Sequence, residues 1–210
     1  SVKNDGTIFE VTYKNEKLGA FHVQVTGDYN ILNATSAIAL AISLGWDLKK
    51  IKMALQSFSG VKRRQEVLGE PKGILVVEDF AHHPTAVRET IKGIQKKYSG
   101  RKLFSVFEPR SATSRRKVFQ KDYVEAFLTS DETIIAKAFD QTKIDEENRF
   151  SSEELVSDLQ AKGRRATCLE GSEQIVQRLT SAAKPGDLIL IMSNGGFDGI
   201  YGKLLKALAV

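Results

Sequence analysis

Residues 73–98 read GILVVEDFAHHPTAVRETIKGIQKKY, and this stretch decides the fold. Ile74 to Val77 make a short, unbroken apolar run, the pattern of a strand covered on both faces. The run ends in two carboxylates, Glu78 and Asp79. A helix is predicted from Pro84 onward, because proline in a first helical turn gives up only an N–H that has no partner there. Two of the chain's three histidines, His82 and His83, stand in the loop between. A buried strand feeding a helix opens a β-α-β unit.

The same alternation continues downstream. KLFSVFEP (102–109), ETIIAKAF (132–139), RATCLEG (165–171) and DLILIMSNGG (187–196) read as strands. Helices are predicted over 114–130, 151–163, 172–183 and 200–210, the second with a capping serine and a glycine stop. The expected fold class is α/β: a mostly parallel sheet with helices on both faces. Upstream the pattern differs. TIFEVTY (7–13) and LGAFHVQV (18–25) flank the turn-like KNEK, a β-hairpin. ILNATSAIALAISLG (31–45) predicts a buried helix ending at Gly45. Asp47 suits the N-cap of a second helix, LKKIKMALQSF. The basic, glycine- and proline-containing SGVKRRQEVLGEPKG (59–73) marks a boundary near 68–72, dividing 1–68 from 69–210.

The 210 residues are enough to bury a core, and 41% hydrophobic with 27% charged is an ordinary globular balance. The net charge of +5 suits anionic partners as well as a plainly basic surface. Cys168 is the single cysteine, which excludes an internal disulfide and fits a reducing compartment. The polar start, SVKNDGTIFE, has no signal-peptide core, and no apolar run reaches membrane-spanning length. The chain starts at Ser1 rather than Met, so a longer reading frame is expected upstream.

Ligands of open α/β sheets bind beyond the carboxyl ends of the strands. Those ends carry Glu78-Asp79 with His82-His83, Glu108-Pro109-Arg110 with Ser111, Thr113, Arg115 and Arg116, Lys137 with Asp140, and Ser193-Asn194-Gly195-Gly196. Each has a plainer explanation. Asp79 and His83 could cap the following helix, RSATSRR could be a solvated loop, and SNGGF could be a turn. Their convergence on one edge favours a site. Arginine grips carboxylates or phosphates through paired hydrogen bonds, and glycine-loop N–H groups suit an anion. The opposite edge, with YSGRK, TSDE and AKPGD, reads as turns. No G-x-x-x-x-G-K-[ST], G-x-G-x-x-G after a strand, or G-x-S-x-G occurs. Adjacent His82 and His83 diverge, and with no H-E-x-x-H no metal site is expected. Basic residues are scattered without aromatic platforms, which argues against nucleic acid.

GDYNILNATSAIALAISLG, FSGVKRRQEVLGE, VVEDFAHHPTAV, EPRSATSRRKVFQKDY and MSNGGFDGIYGKLL occur in that order. Together they resemble the Mur ligase family of bacterial cell-wall enzymes, across essentially the whole chain. The family is built from a UDP-sugar domain, a central ATP domain with a P-loop, and a Rossmann-like third domain that closes over the site. The resemblance implies that 1–68 is the end of the central domain and 69–210 the third domain. It implies a cytoplasmic, ATP- and Mg²⁺-dependent ligase of peptidoglycan metabolism, with Mg²⁺ held mainly outside this chain. The lactyl carboxylate of UDP-N-acetylmuramate would become an acyl phosphate and be captured by the amine of L-alanyl-γ-D-glutamyl-meso-diaminopimelate. Asp79 would then accept hydrogen bonds from the ATP ribose, with His82 and His83 beside the nucleotide and Asn30 at the adenine. Arg64 would reach the phosphates, oriented by Glu66, with Arg63 as the competing choice. Arg110, Ser111, Thr113, Ser193 and Asn194 would bind the muropeptide. L-alanine as the acceptor, and a non-catalytic nucleotide- or muropeptide-binding module, are the alternatives. Without a P-loop this chain alone is expected to be inactive.

Overall fold

The computed structural model describes residues 2, 3 and 6–210, which form two compact units. Ser1, Asn4 and Asp5, part of the polar N-terminal stretch, lie outside the described residues. The first unit comprises 1–62 with 96–99, and the second 63–95 with 100–210.

In the first unit, β1 (Val2–Lys3), β2 (Gly6–Tyr13) and β3 (Glu16–Val23) form an antiparallel sheet. The hairpin turn is Lys14-Asn15, both at positive φ, the conformation that matches the twist of the flanking strands. Two helices follow, α1 (Asp28–Ser43) and α2 (Leu48–Ser57). Asp47 caps α2 as predicted, its carboxylate accepting the Lys50 N–H at 3.0 Å. The core is small: Phe21, Ile38 and Ile51. The expectation of a buried helix is corrected here. Helix α1 begins earlier, at Asp28, and buries only Ala34 and Ile38, while Leu32 and Leu40 are 68% and 62% exposed. An apolar sequence without strong sidedness says that a helix can be buried, not that both faces are covered.

The second unit carries the sheet. Its elements are β4 (Glu66–Gly69), β5 (Leu75–Asp79), α3 (Pro84–Lys97), β6 (Leu103–Phe107), α4 (Gln120–Phe127) and β7 (Glu132–Ala136). They continue with α5 (Ser152–Ala161), β8 (Ala166–Leu169), α6 (Ser172–Ala182), β9 (Leu188–Met192) and α7 (Ile200–Ala209). The strand order is β4-β5-β9-β6-β7-β8, with β4 antiparallel at the edge and the other five parallel. On one face Val76, Val106, Ile134 and Ile191 pack with Ile175 and Leu179 of α6 and Ile200, Leu204 and Leu208 of α7. Each of those fully buried side chains stabilises the fold by roughly 1.5–3 kcal/mol. Elsewhere in the core Phe107 meets Tyr123 and Phe127 of α4, with ring centroids 5.1 and 5.7 Å apart.

Two features differ from the expectations. The units divide between Lys62 and Arg63, ahead of 68–72, because Glu66–Gly69 pairs with β5. The basic linker contains an edge strand whose four residues carry too little pattern to be seen. The helix expected over 114–130 starts only at Gln120. Before it Arg116 bridges to Arg149, and Ser114 is buried against Ser111. No helix among the described residues is long and apolar enough to cross a membrane.

Candidate functional site

Strand register brings three loops together at the carboxyl edge. Asp79 of β5 and Phe107 of β6 both pair with Met192 of β9. The pairing runs one residue further: Ser193 N–H donates to Asp79 O and Glu108 N–H donates to Met192 O, each at 3.1 Å. Beyond that the chain leaves the ladder, and its polar groups need other partners.

The glycine loop after β9 finds them on both sides. Ser193 is fully buried; its hydroxyl donates to Glu108 at 2.5 Å and accepts the Gly195 N–H at 2.9 Å. From the other side Arg63 donates to the carbonyls of Ser193 at 3.0 Å and Gly195 at 2.6 Å, while its Nε pairs with Glu78. Arg63 itself sits at φ 60°, with its N–H on Glu66 at 2.7 Å and its carbonyl accepting Phe80 N–H at 2.8 Å. Glu66 therefore serves the Arg63 backbone rather than orienting Arg64.

Arg110 lies across this loop. A Cβ on Gly195 would overlap the Arg110 side chain, so any larger residue there would push Arg110 out of this position. The guanidinium stands 3.8 Å from the centre of the Phe139 ring and 3.4 Å from Glu108, and the side chain keeps 32% exposure. It is held on two sides and remains reachable. The side-chain oxygen of neighbouring Asn194 is buried without a donor. A buried acceptor left so costs about 1–3 kcal/mol.

The other predicted residues divide. Asp79 is 1% exposed, and its oxygens accept from Ala81 N–H (2.7 Å), Gln65 N–H (2.9 Å) and the Thr90 hydroxyl (3.3 Å). Burial pushes its carboxyl above the usual range, opposed by those N–H groups and the charge of Arg64. In this structure it fastens loops. Arg64 is exposed, with its guanidinium 5.5 Å from the Phe80 ring centre. His82 Nδ1 lies 3.0 Å from Phe80 O, and a carbonyl only accepts, so that nitrogen carries the proton. His83 Nδ1 accepts Thr85 N–H at 3.3 Å and is therefore unprotonated. Ser111 is occupied by its own turn, its hydroxyl accepting Ser114 N–H at 2.9 Å. Thr113 is half-buried, and its carbonyl accepts Arg116 N–H at 3.1 Å. Asn30 lies in the first unit, donating to Thr26 O at 2.7 Å.

Sequence reasoning missed the roles of Glu78, Glu108, Gly195 and Phe139. For the two acids the available signal was a carboxylate at the end of a buried strand, in β5 and just after β6, where a charge needs a partner. Among the described residues no cluster of histidine, cysteine or acid side chains could hold a metal.

Residues 63–195 match the family described as Mur ligase, glutamate ligase domain. The UDP-N-acetylmuramate–L-alanine ligase of Desulfitobacterium hafniense is 33% identical over 91% of this chain and 42% of its own length. The solved murein peptide ligase of Psychrobacter arcticus is also 33% identical, covering 100% of this chain and 43% of its own, with a TM-score of 0.71. The UDP-N-acetylmuramate–alanine ligase of Thermotoga maritima, at 21% identity, shares the fold, with a TM-score of 0.80 over 98% of this chain and 44% of its own. The chain thus spans less than half the length of each of these three relatives.

Proposed function

Because the chain belongs to the Mur ligase family, we propose that it is part of an ATP-dependent amide ligase joining UDP-N-acetylmuramate to L-alanyl-γ-D-glutamyl-meso-diaminopimelate in peptidoglycan recycling in the cytoplasm. The observation that carries this reading is the seat of Arg110, a reachable guanidinium between Gly195 and Phe139. It suits a carboxylate of the acceptor, with Asn194 beside it. In the reaction, the muramate carboxylate takes the γ-phosphoryl group of ATP and releases ADP. The peptide amine attacks the acyl phosphate, an amide forms, and phosphate and a proton leave. This chemistry depends on positioning and charge neutralisation.

On this reading Arg64 meets phosphate, and His82 and His83 line the nucleotide. Asp79 holds the loop that carries them rather than touching the ribose. Asn30 is assigned to the adenine end, in a unit that closes the central domain. Mg²⁺ is supplied by the part of the ligase outside this chain, and the chain alone neither hydrolyses ATP nor ligates. The second reading is L-alanine as acceptor, favoured by the name of the Desulfitobacterium relative. Phosphate release by the full reading frame, with ATP, Mg²⁺ and UDP-N-acetylmuramate, separates the two. Turnover with the tripeptide and not with L-alanine is expected; the reverse outcome removes the peptide assignment and keeps the ligase.

A further inference from the structure

We propose that Arg63 is a positioning residue for the acceptor pocket, acting through the glycine loop on Arg110 rather than by touching phosphate. The proposal rests on the acceptor reading above. Three directions of the guanidinium are already used: Nε toward Glu78, and Nη2 toward the carbonyls of both Ser193 and Gly195. Its plane stands 5.0 Å from the centre of the Phe80 ring. A planar fork can hold a carboxylate and two carbonyls at once; an ammonium is a point charge on a flexible stem. The loop it holds contains Gly195 and Gly196, and glycine carries the largest backbone freedom. Gly195 is also the residue that leaves room for Arg110. Releasing Arg63 therefore frees the floor on which the acceptor's carboxylate ligand rests. Arg64 next to it has no such bonds and stays available for the nucleotide.

The test uses the full reading frame for kinetics and the 210-residue chain for amide hydrogen exchange, with Arg63→Ala, Arg63→Lys, Gly195→Ala and the Arg63→Ala/Gly195→Ala double variant. Arg63→Ala is expected to raise the acceptor KM at least tenfold while the KM values for ATP and UDP-N-acetylmuramate stay within twofold. Exchange of the segment 193–197 should accelerate at least tenfold with the sheet amides unchanged. Arg63→Lys should fall between, and the double variant should be no worse than its worse parent, because both lesions act on one loop. An increase in ATP KM instead, an unchanged acceptor KM, or accelerated exchange throughout the unit would each overturn the proposal. Should Arg63→Ala fail to fold, Arg63→Lys and Gly195→Ala carry the same readouts. If L-alanine proves to be the acceptor, the tripeptide reading fails separately, and Arg63 is judged on the L-alanine KM and on exchange.

Discussion

The two edges of the same sheet are built from the same materials and do different things. At the amino edge Glu132, 5% exposed, pairs with Lys102 at 3.3 Å and Arg178 at 2.6 Å. Nearby Asp131 accepts Leu103 N–H at 2.8 Å, and Ser105 and Ser130 share a hydrogen bond of 2.7 Å. Arg164 Nη2 donates to Ser130 O, although its Nε is buried without an acceptor. At the carboxyl edge Glu78 and Glu108 are buried carboxylates of the same kind, held by Arg63, Ser193 and Arg110. The difference lies in what is left over. The amino-edge charges end on one another and tie β6, β7 and α6. The carboxyl-edge charges fix a loop and leave Arg110 loosely paired, 3.4 Å from Glu108 and 3.8 Å from the centre of the Phe139 ring. Neither buried charge nor a single unpartnered atom marks a site, since both occur at both edges; the difference is that Arg178 closes on Glu132 at 2.6 Å, whereas Arg110 stands 3.4 Å from Glu108.

Substitutions at the two edges should therefore separate function from stability. The largest effect is expected from Arg110→Ala, which removes a charge-assisted carboxylate contact of about 1.5–3 kcal/mol. Acceptor kcat/KM should fall about 10- to 150-fold, with the midpoint of thermal unfolding little changed. Ser193→Ala affects both properties. It deprives Glu108 of a donor and Gly195 N–H of an acceptor, costing about 1–3 kcal/mol in denaturant titration and weakening acceptor use less than Arg110→Ala does. Glu132→Gln tests the amino edge. Its cation partners are a third or more exposed and can turn to water, so the loss should be about 1–2 kcal/mol, with acceptor KM unchanged. A change in acceptor KM there would break the distinction between the edges.

The smallest effect is a pH dependence at Asp79. Burial raises its carboxyl, so between the unfolded and folded pKa values the native state binds more protons than the unfolded one. Its contribution is fully present below the unfolded value and is lost as pH rises through the folded one. The stability advantage of wild type over Asp79→Asn should therefore shrink as pH climbs from about 4. A difference independent of pH would contradict the raised carboxyl.

Much of the sheet was legible because its central strands are continuous apolar runs that give way to polar or charged residues, a pattern that double-sided burial explains. The edge on which the polar residues gather followed from alternation alone. Three things did not follow. β4 pairs through backbone atoms, which four residues of mixed character do not announce. The exposed face of α1 depends on which neighbours are present, a matter of tertiary packing. The division of labour between Arg63 and Arg64 is invisible in KRRQE, because it is decided by positive φ at Arg63 and Gln65 and by carbonyls 130 and more residues away. Similarly, Ser193 and Arg110 look alike as polar strand-end residues, yet one is fully buried in the clamp and the other faces outward.

The central claim is that Arg110 reads a carboxylate of the peptide acceptor. The most direct measurement compares the tripeptide with its carboxamide counterpart as acceptors, in wild type and in Arg110→Ala. Wild type should prefer the carboxylate form by about 10- to 150-fold in kcat/KM, and Arg110→Ala should bring the ratio close to one. An undiminished ratio in the variant would contradict the account.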